Sequence, residues 1–234
     1  MLMRFVLALF FVSLAANAAF ALRDPSLWAI PAMLLGWYVA DMLSGAVHMY
    51  MDYRPCVTGV GLDRLYFYPG SRESDEYQAM FRAAMARINP LERLVYDFKN
   101  HHPRPDALGR RGVVRLIGST VLAGALPLSL LMNGAAKLWP VPGWAMAGMV
   151  ALLIGGAFAQ YFHGTLHRAQ NVWIVRAMRR AGLLMTPQAH QLHHDTLRRD
   201  FSTNCGWSNP LLNRLFALAY RRRWLRDDGL EPVG

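Results

Sequence analysis

The sequence predicts an all-α integral membrane protein of about four transmembrane helices, with a cytoplasmic helical cap carrying a histidine-rich di-metal site. Three observations predict it. Four long stretches are nearly free of charge, Lys and Arg cluster in two segments around them, and all eight histidines fall into four tight groups.

The apolar stretches cover residues 1–22, 27–49, 113–132 and 141–162. Each is near the ~20 residues that cross a hydrocarbon core of ~30 Å. Asp41 is the one charge deep inside a stretch, where ionisation is costly, so it is expected to face a cavity or partner. The first stretch has a rival reading: Arg4, an apolar run and Ala16-Asn17-Ala18 resemble a secretory signal with an A-x-A cleavage site. A retained helix is favoured because the topology closes with four spans.

Of the 25 Lys and Arg, eleven lie in 54–115 and eleven in 168–226, which by the positive-inside rule makes segments 50–112 and 163–234 cytoplasmic. Four spans return the chain to its starting side, so both termini and all the histidines share that side. The whole of 1–234 then reads as a single membrane-embedded domain. Twenty-three arginines against two lysines suggest a GC-rich bacterial genome and hence an inner membrane. Arg221-Arg222-Arg223 and a pI near 10.2 read as topology and headgroup charge, with no nucleic-acid partner. Cys56 and Cys205 suggest neither a disulfide scaffold nor a thiolate zinc site.

Between the spans, 52–74 is loop-like, with Pro55, Gly59, Gly61, Pro69 and Gly70. Phe81, Ala84, Met85 and Ile88 then recur at helical spacing until Asn89-Pro90 interrupts. A second amphipathic piece at 172–184 has Trp173, Ala177, Met178 and Ala181 opposite Arg176, Arg179 and Arg180. Both are expected on the membrane surface or packed within the cap.

The histidines carry the chemistry. His48 and Asp52 are i and i+4 at the end of the second span, with Asp41 two turns deeper as a group that could tune the site. His163 and His167 repeat that spacing at the end of the fourth. His101/His102 and His190-x-x-His193-His194 come from the cytoplasmic segments. Adjacent histidines on a helix point ~100° apart, which suits two ions better than one. Structural zinc takes four ligands and usually recruits cysteine, and copper transport favours methionine and cysteine. Eight imidazoles suit a pair of first-row ions with open positions, and iron is the member best suited to activating oxygen.

Asp41-x-x-Ser44-Gly45-x-x-His48-x-x-x-Asp52, Phe98-x-x-His101-His102-x-x-Pro105, His163-x-x-x-His167 and Pro187-x-x-His190-x-x-His193-His194, followed by Asn204-Cys205-Gly206-Trp207-x-Asn209-x-x-Leu212, resemble the lipid desaturase domain family. This family, also called Kua, includes plasmanylethanolamine desaturases and a plastid phosphatidylglycerol palmitoyl desaturase. The resemblance runs in order over residues 37–215. Two features depart from it: a long stretch between Asp52 and Phe98, and Gly118-Ser119-Thr120 in place of an asparagine-containing patch.

The resemblance implies a di-iron centre that uses O2 as co-substrate and two external electrons to remove two hydrogens from a lipid chain. Its metal and catalytic positions match His48, His101, His102, His163, His167, His190, His193 and His194, with Asp52 a candidate ligand or supporting carboxylate. No haem module, G-x-G-x-x-G fingerprint or iron–sulfur cysteine set is evident, so a separate ferredoxin or cytochrome b5-like donor is expected. The leading expectation is conversion of the 1-O-alkyl chain of a plasmanyl phospholipid to a vinyl ether, the step that makes a plasmalogen. An acyl-lipid desaturase or hydroxylase acting on an ester-linked chain is the alternative within the class. A non-enzymatic metal-binding or metal-transport protein is the alternative from another class. The lipid tail is expected in a groove lined by Leu34, Trp37, Leu152 and Phe158, with the headgroup at cytoplasmic arginines.

Overall fold

A computed structural model describes residues 1–234, all helices and connecting turns with no strand. Four helical runs are long and apolar enough to cross a membrane. The first two are α1 (Leu2–Ala21) and α2 (Ala29–Tyr53). The cap then holds α3 (Leu62–Tyr66), α4 (Asp75–Met85), α5 (Pro90–His101) and α6 (Pro105–Gly109). The third run is continuous through α7 (Val113–Thr120), a π-turn at Val121–Ala125 and α8 (Leu126–Leu138). The fourth is α9 (Gly143–Leu166), and α10 (Trp173–Arg180), α11 (Pro187–Thr196) and α12 (Asn209–Arg221) complete the cap.

These helices begin where the sequence supplies caps. Ser74 Oγ accepts from Tyr77 N at the start of α4, and Thr186 Oγ1 accepts from Ala189 N at the start of α11. Asn89-Pro90, which interrupts the helical pattern, opens α5 with a reciprocal capping box to Glu92 and proline in the first turn. The second, third and fourth runs extend past the apolar boundaries at 49, 132 and 162. Hydropathy falls there because the chain turns polar, while the cap keeps the last turns of α2 and α9 buried.

The runs alternate in direction. Met3 of α1 packs near Gly118, and Ala21 O lies beside Gly143 at the other end. The α2 and α9 helices approach closely because small residues face each other; a Cβ on Gly36 would lie 2.0 Å from Gly148 O. Between α1 and α8, Ser13 Oγ meets Ser129 Oγ at 2.7 Å, while Asn17 Nδ2 donates to Ser129 O and Oγ. Such side-chain bonds hold helices together where lipid offers no partner. The Ala16-Asn17-Ala18 signal-like motif is therefore helical, with Asn17 fully buried. Leu34, Leu35, Leu43 and Leu131 remain exposed, as lipid-facing positions should.

The cap has its own core of Leu62, Leu65, Tyr77, Val95 and Tyr96, against which Phe81, Met85 and Ile88 pack. The other amphipathic piece differs from its sequence reading. Its helix ends at Arg180, the chain turns through Gly182 at φ +70°, and Val175 is the buried residue, packed with Trp37, Phe162 and Leu184. Trp173 and Ile174 are exposed beside Arg176, a composition suited to the membrane interface.

Candidate metal centre

All four histidine groups meet at the cap end of the bundle. His48 and Asp52 occupy the last turns of α2, and His163 lies in the last turn of α9 with His167 as its C-cap. His101 is the last residue of α5 with His102 following, and α11 presents His190, His193 and His194. Two sets of ligand atoms form, each within 4.8 Å of one another: His101, His163, His167, His190 and His194 in one; His48, Asp52, His102 and His193 in the other. Each adjacent pair is split: His101 and His194 enter the first set, His102 and His193 the second. The angular offset of neighbouring residues accounts for this.

The contacts have the dimensions of a coordination shell. In the first set His190 Nε2 lies 3.1 Å from His163 Nε2 and 3.2 Å from His194 Nε2. In the second, Asp52 lies 3.1 Å from His102 Nε2, 3.3 Å from His193 Nε2 and 3.4 Å from His48 Nε2. Two donors each ~2.1 Å from one ion are ~3.0 Å apart at right angles and ~4.2 Å apart across it. The Nε2 atoms of His48, His101, His167 and His193, and Asp52 Oδ2, are buried without hydrogen-bond partners. Such orphaned atoms are costly unless something occupies the space between them, and converging lone pairs fit a cation.

Backbone carbonyls fix which nitrogen faces inward. His48 Nδ1 donates to Phe201 O at 2.9 Å, His193 Nδ1 to Arg199 O at 3.0 Å, and His101 Nδ1 to Phe98 O. Each carbonyl selects the Nδ1–H tautomer and leaves Nε2 as a free donor atom. Burial lowers His101 and His190 well below the usual imidazole range, His167 to about 4 and His194 to about 2, with neighbouring imidazoles adding to the effect. All four are therefore neutral at pH 7, as ligands must be.

Other buried groups hold the sets in place. Lys99 Nζ donates to Met51 O at 3.1 Å and Asp52 O at 2.5 Å, tying α5 to the free carbonyls at the end of α2. Burial lowers its ammonium to about 8, so it remains charged at pH 7. Asp41 touches no ligand. Its carboxylate accepts from Cys205 N (2.7 Å), Gly206 N (3.0 Å), Ser208 N (2.9 Å) and Ser208 Oγ (2.6 Å). Ser44 Oγ accepts from Thr203 N, and a Cβ on Gly45 would lie 2.8 Å from Ser202 N. The Asp41-x-x-Ser44-Gly45 motif thus docks the segment that supplies Phe201 O, and Asp41 acts through that segment rather than on the ligands directly.

One cavity reaches the centre, and a second adjoins the first. A vestibule of about 180 Å³ is walled by His101 and His163 and by Arg93, Arg111, Arg115 and Ser119. An apolar groove of about 280 Å³ runs between α2, the π-turn and α9, past Leu43, Val47, Gly124, Leu128 and Leu152. Gln160 lines both, and Ser119 and Thr120 face one each, so they adjoin one turn from His163. Of the four residues expected in a tail groove, only Leu152 lines it. Trp37 is buried with Nε1 on Leu183 O, Phe158 packs on Phe11 and Phe162, and Leu34 faces outward.

Sequence reasoning missed Phe201 and Arg199, whose contributions are backbone carbonyls without a side-chain signature. Lys99 and Gln160 did leave a signal: one is among two lysines, beside His101, and the other is an amide in an apolar span one turn before His163.

A model of the lipid desaturase domain family matches residues 91–220, from the start of α5 to α12. The match includes seven of the eight histidines; His48 and Asp52 precede it. The chain is 24% identical over 191 residues to a plasmanylethanolamine desaturase of Myxococcus xanthus, covering 78% of this chain and 55% of that protein. The chain thus spans about half the length of that curated relative. No solved structure matches. With more than half its length matched and the matched helices meeting at one histidine-lined centre, the chain belongs to the lipid desaturase domain family.

Proposed function

We propose that the chain is an O2-dependent membrane lipid desaturase whose eight histidines and Asp52 hold two iron ions, and that its preferred substrate is the 1-O-alkyl chain of a plasmanyl phospholipid. The carrying observation is the pair of ligand sets, five histidines beside three histidines and a carboxylate, with two of the histidines walling a vestibule that shares Gln160 with an apolar groove in the bundle. Bound iron would supply the oxidising chemistry that removes hydrogen from an unactivated carbon. Two hydrogens leave the chain, and with two electrons and two protons from a donor they reduce O2 to two waters. The carbonyls of Phe201, Arg199 and Phe98 orient the ligating imidazoles, and the groove holds the chain away from water.

The ether reading draws on the Myxococcus xanthus relative and on which cavity the ligands line. His101 and His163 wall the polar vestibule, whereas no histidine lines the apolar groove. A methylene near the ligands then lies close to the headgroup, as the first carbons of a 1-O-alkyl chain do. Residues 1–234 form one membrane-embedded domain, with the cap on the cytoplasmic side of a bacterial inner membrane and a separate ferredoxin or cytochrome b5-like protein delivering electrons there. The clustering of Lys and Arg in the cap segments supports that sidedness.

Expression in a host supplied with alkyl-ether phospholipid, followed by lipid mass spectrometry with and without acid, tests this function. An acid-labile vinyl ether two hydrogens lighter is expected. A two-hydrogen loss confined to ester-linked chains would transfer the assignment to an acyl-lipid desaturase. Zinc or copper at one per chain, with no O2-dependent change in lipid, would remove the desaturase reading altogether.

A further inference from the structure

The vestibule carries positive charge that the ligand sets do not use. Arg93 of α5, Arg111 of the turn after α6 and Arg115 of α7 line it, against one carboxylate, Asp97. Asp97 Oδ2 pairs with Arg111 Nη1 at 3.1 Å. Arg93 and Arg115 form no ion pair, and Arg93 rests over the Phe81 ring at 5.8 Å. Three cations and one anion leave two unbalanced positive charges in a cavity whose wall includes His101 and His163.

The surroundings fix this basic wall in place. Arg168 Nε and Nη2 donate to Gly109 O (2.7 Å) and Arg111 O (3.1 Å), pinning the turn that carries Arg111 to the end of α9. Arg115 lies in the first turn of the third span, at its cap end, and a span's end is where headgroup charge meets basic side chains. Guanidinium groups suit phosphate because their planar donors match its oxygens. Gln160 then separates the basic vestibule from the apolar groove.

We propose that Arg93, Arg111 and Arg115 bind the phosphate of the lipid substrate, with Gln160 at the point where headgroup gives way to tail; that a lipid is the occupant rests on the desaturase reading. The phosphate sits among the three arginines, and the glycerol end of the chain passes His101 and His163. The tail continues beyond Gln160 between Val47, Leu128 and Leu152. These arginines are positioning residues: they fix which methylene reaches the ligands.

The test measures binding to the full-length protein by native mass spectrometry, with alkyl-acyl phosphatidylethanolamine, a diacylglycerol of matched chains, and inorganic phosphate as probes. Arg93→Gln and Arg115→Gln each weaken phospholipid binding about tenfold, from loss of a hydrogen bond to a charged group. The double variant weakens it further, and diacylglycerol binding is unchanged in all. Arg110→Gln, on an exposed residue paired with Asp106, behaves as the parent protein. Unchanged phospholipid binding in the double variant, or an equal loss for diacylglycerol, would overturn the proposal. So would loss of inorganic phosphate binding while phospholipid binding persists, which would make this a free-phosphate site. Arginine-dependent phospholipid binding without any vinyl ether product would sink the ether desaturase reading and leave this site standing. Product formation with arginine-independent binding would do the reverse.

Discussion

Asp41→Asn separates structural support from metal ligation. The carboxylate is wholly buried and accepts four hydrogen bonds, at 2.7, 3.0, 2.9 and 2.6 Å, from the segment leading into α12. Asparagine keeps the shape but turns one acceptor into an NH2 group facing donors. Removing one partner of a buried charged network costs ~3–5 kcal/mol, and the isosteric amide should forfeit about half of that. At ~2–4 °C per kcal/mol for a chain of this size, the melting temperature should drop by roughly 3–10 °C. The consequence at the site is selective. The displaced segment carries Phe201 O, which orients His48, and Arg199 O, which orients His193; both histidines belong to the set containing Asp52. The five-histidine set receives no hydrogen bond from this segment. On the proposed di-iron function, purified Asp41→Asn should therefore hold close to one iron per chain instead of two, measured by elemental analysis alongside thermal unfolding. Two irons per chain with an unchanged melting temperature would refute the inference that Asp41 supports the second set through its docked segment.

His101→Ala and His102→Ala, though adjacent, should empty different sets, each lowering iron content by about one per chain; Mössbauer spectra of the two variants should retain complementary signals. Gly124 lines the groove with open space where a Cβ would go. Gly124→Leu should keep iron content and melting temperature while lowering product formation at least ~10-fold, because the chain can no longer seat beside the ligands. In metal-free protein, His167 has its pKa lowered from 6.5 to about 4. Above pH 6.5 the imidazole is neutral whether the chain is folded or unfolded, so it adds no pH dependence. Below that, the unfolded chain takes up a proton the folded chain refuses, and stability falls by up to ~1.4 kcal/mol per pH unit until pH approaches 4. Unfolding scans of metal-free protein should thus shift downward from pH 6.5 to 5, a shift that His167→Gln reduces.

The spans were legible because bilayer thickness dictates a long apolar run, and hydropathy reads that directly. Their polar ends were not. Residues 51–53 continue α2 because α5, α11 and α12 cover them, and tertiary cover leaves no mark in the local sequence. The π-turn at Val121–Ala125 was equally hidden, since Leu122, Ala123 and Gly124 read as ordinary span residues. The inward residue of the 172–184 piece was hidden as well: an exposed Trp173 suits the membrane surface expected for it, but Val175, which the face of Trp173, Ala177, Met178 and Ala181 left out, is the residue that turns inward.

The candidate ligands were legible for a different reason. Histidine is uncommon enough that eight in four groups stand out, and i, i+4 spacing converts sequence into a shared face. The groups that orient them could not stand out, because a carbonyl is present at every residue. What the sequence does carry is the side chain that fixes where those carbonyls lie. Asp41 and Ser44 contact backbone 159–167 residues away, and they tie α2, which bears His48, to the segment that sets the tautomer of His48. A buried carboxylate one or two turns from a ligand therefore has two physical readings, tuning by charge or docking by hydrogen bonds. Four donors already converge on Asp41 from a single segment, which leaves its charge neutralised by backbone dipoles and favours docking. Intramembrane charge in this chain thus positions a candidate ligand set without joining it, and the carboxylate that does join one, Asp52, sits one turn beyond His48, where the cap rather than lipid surrounds it.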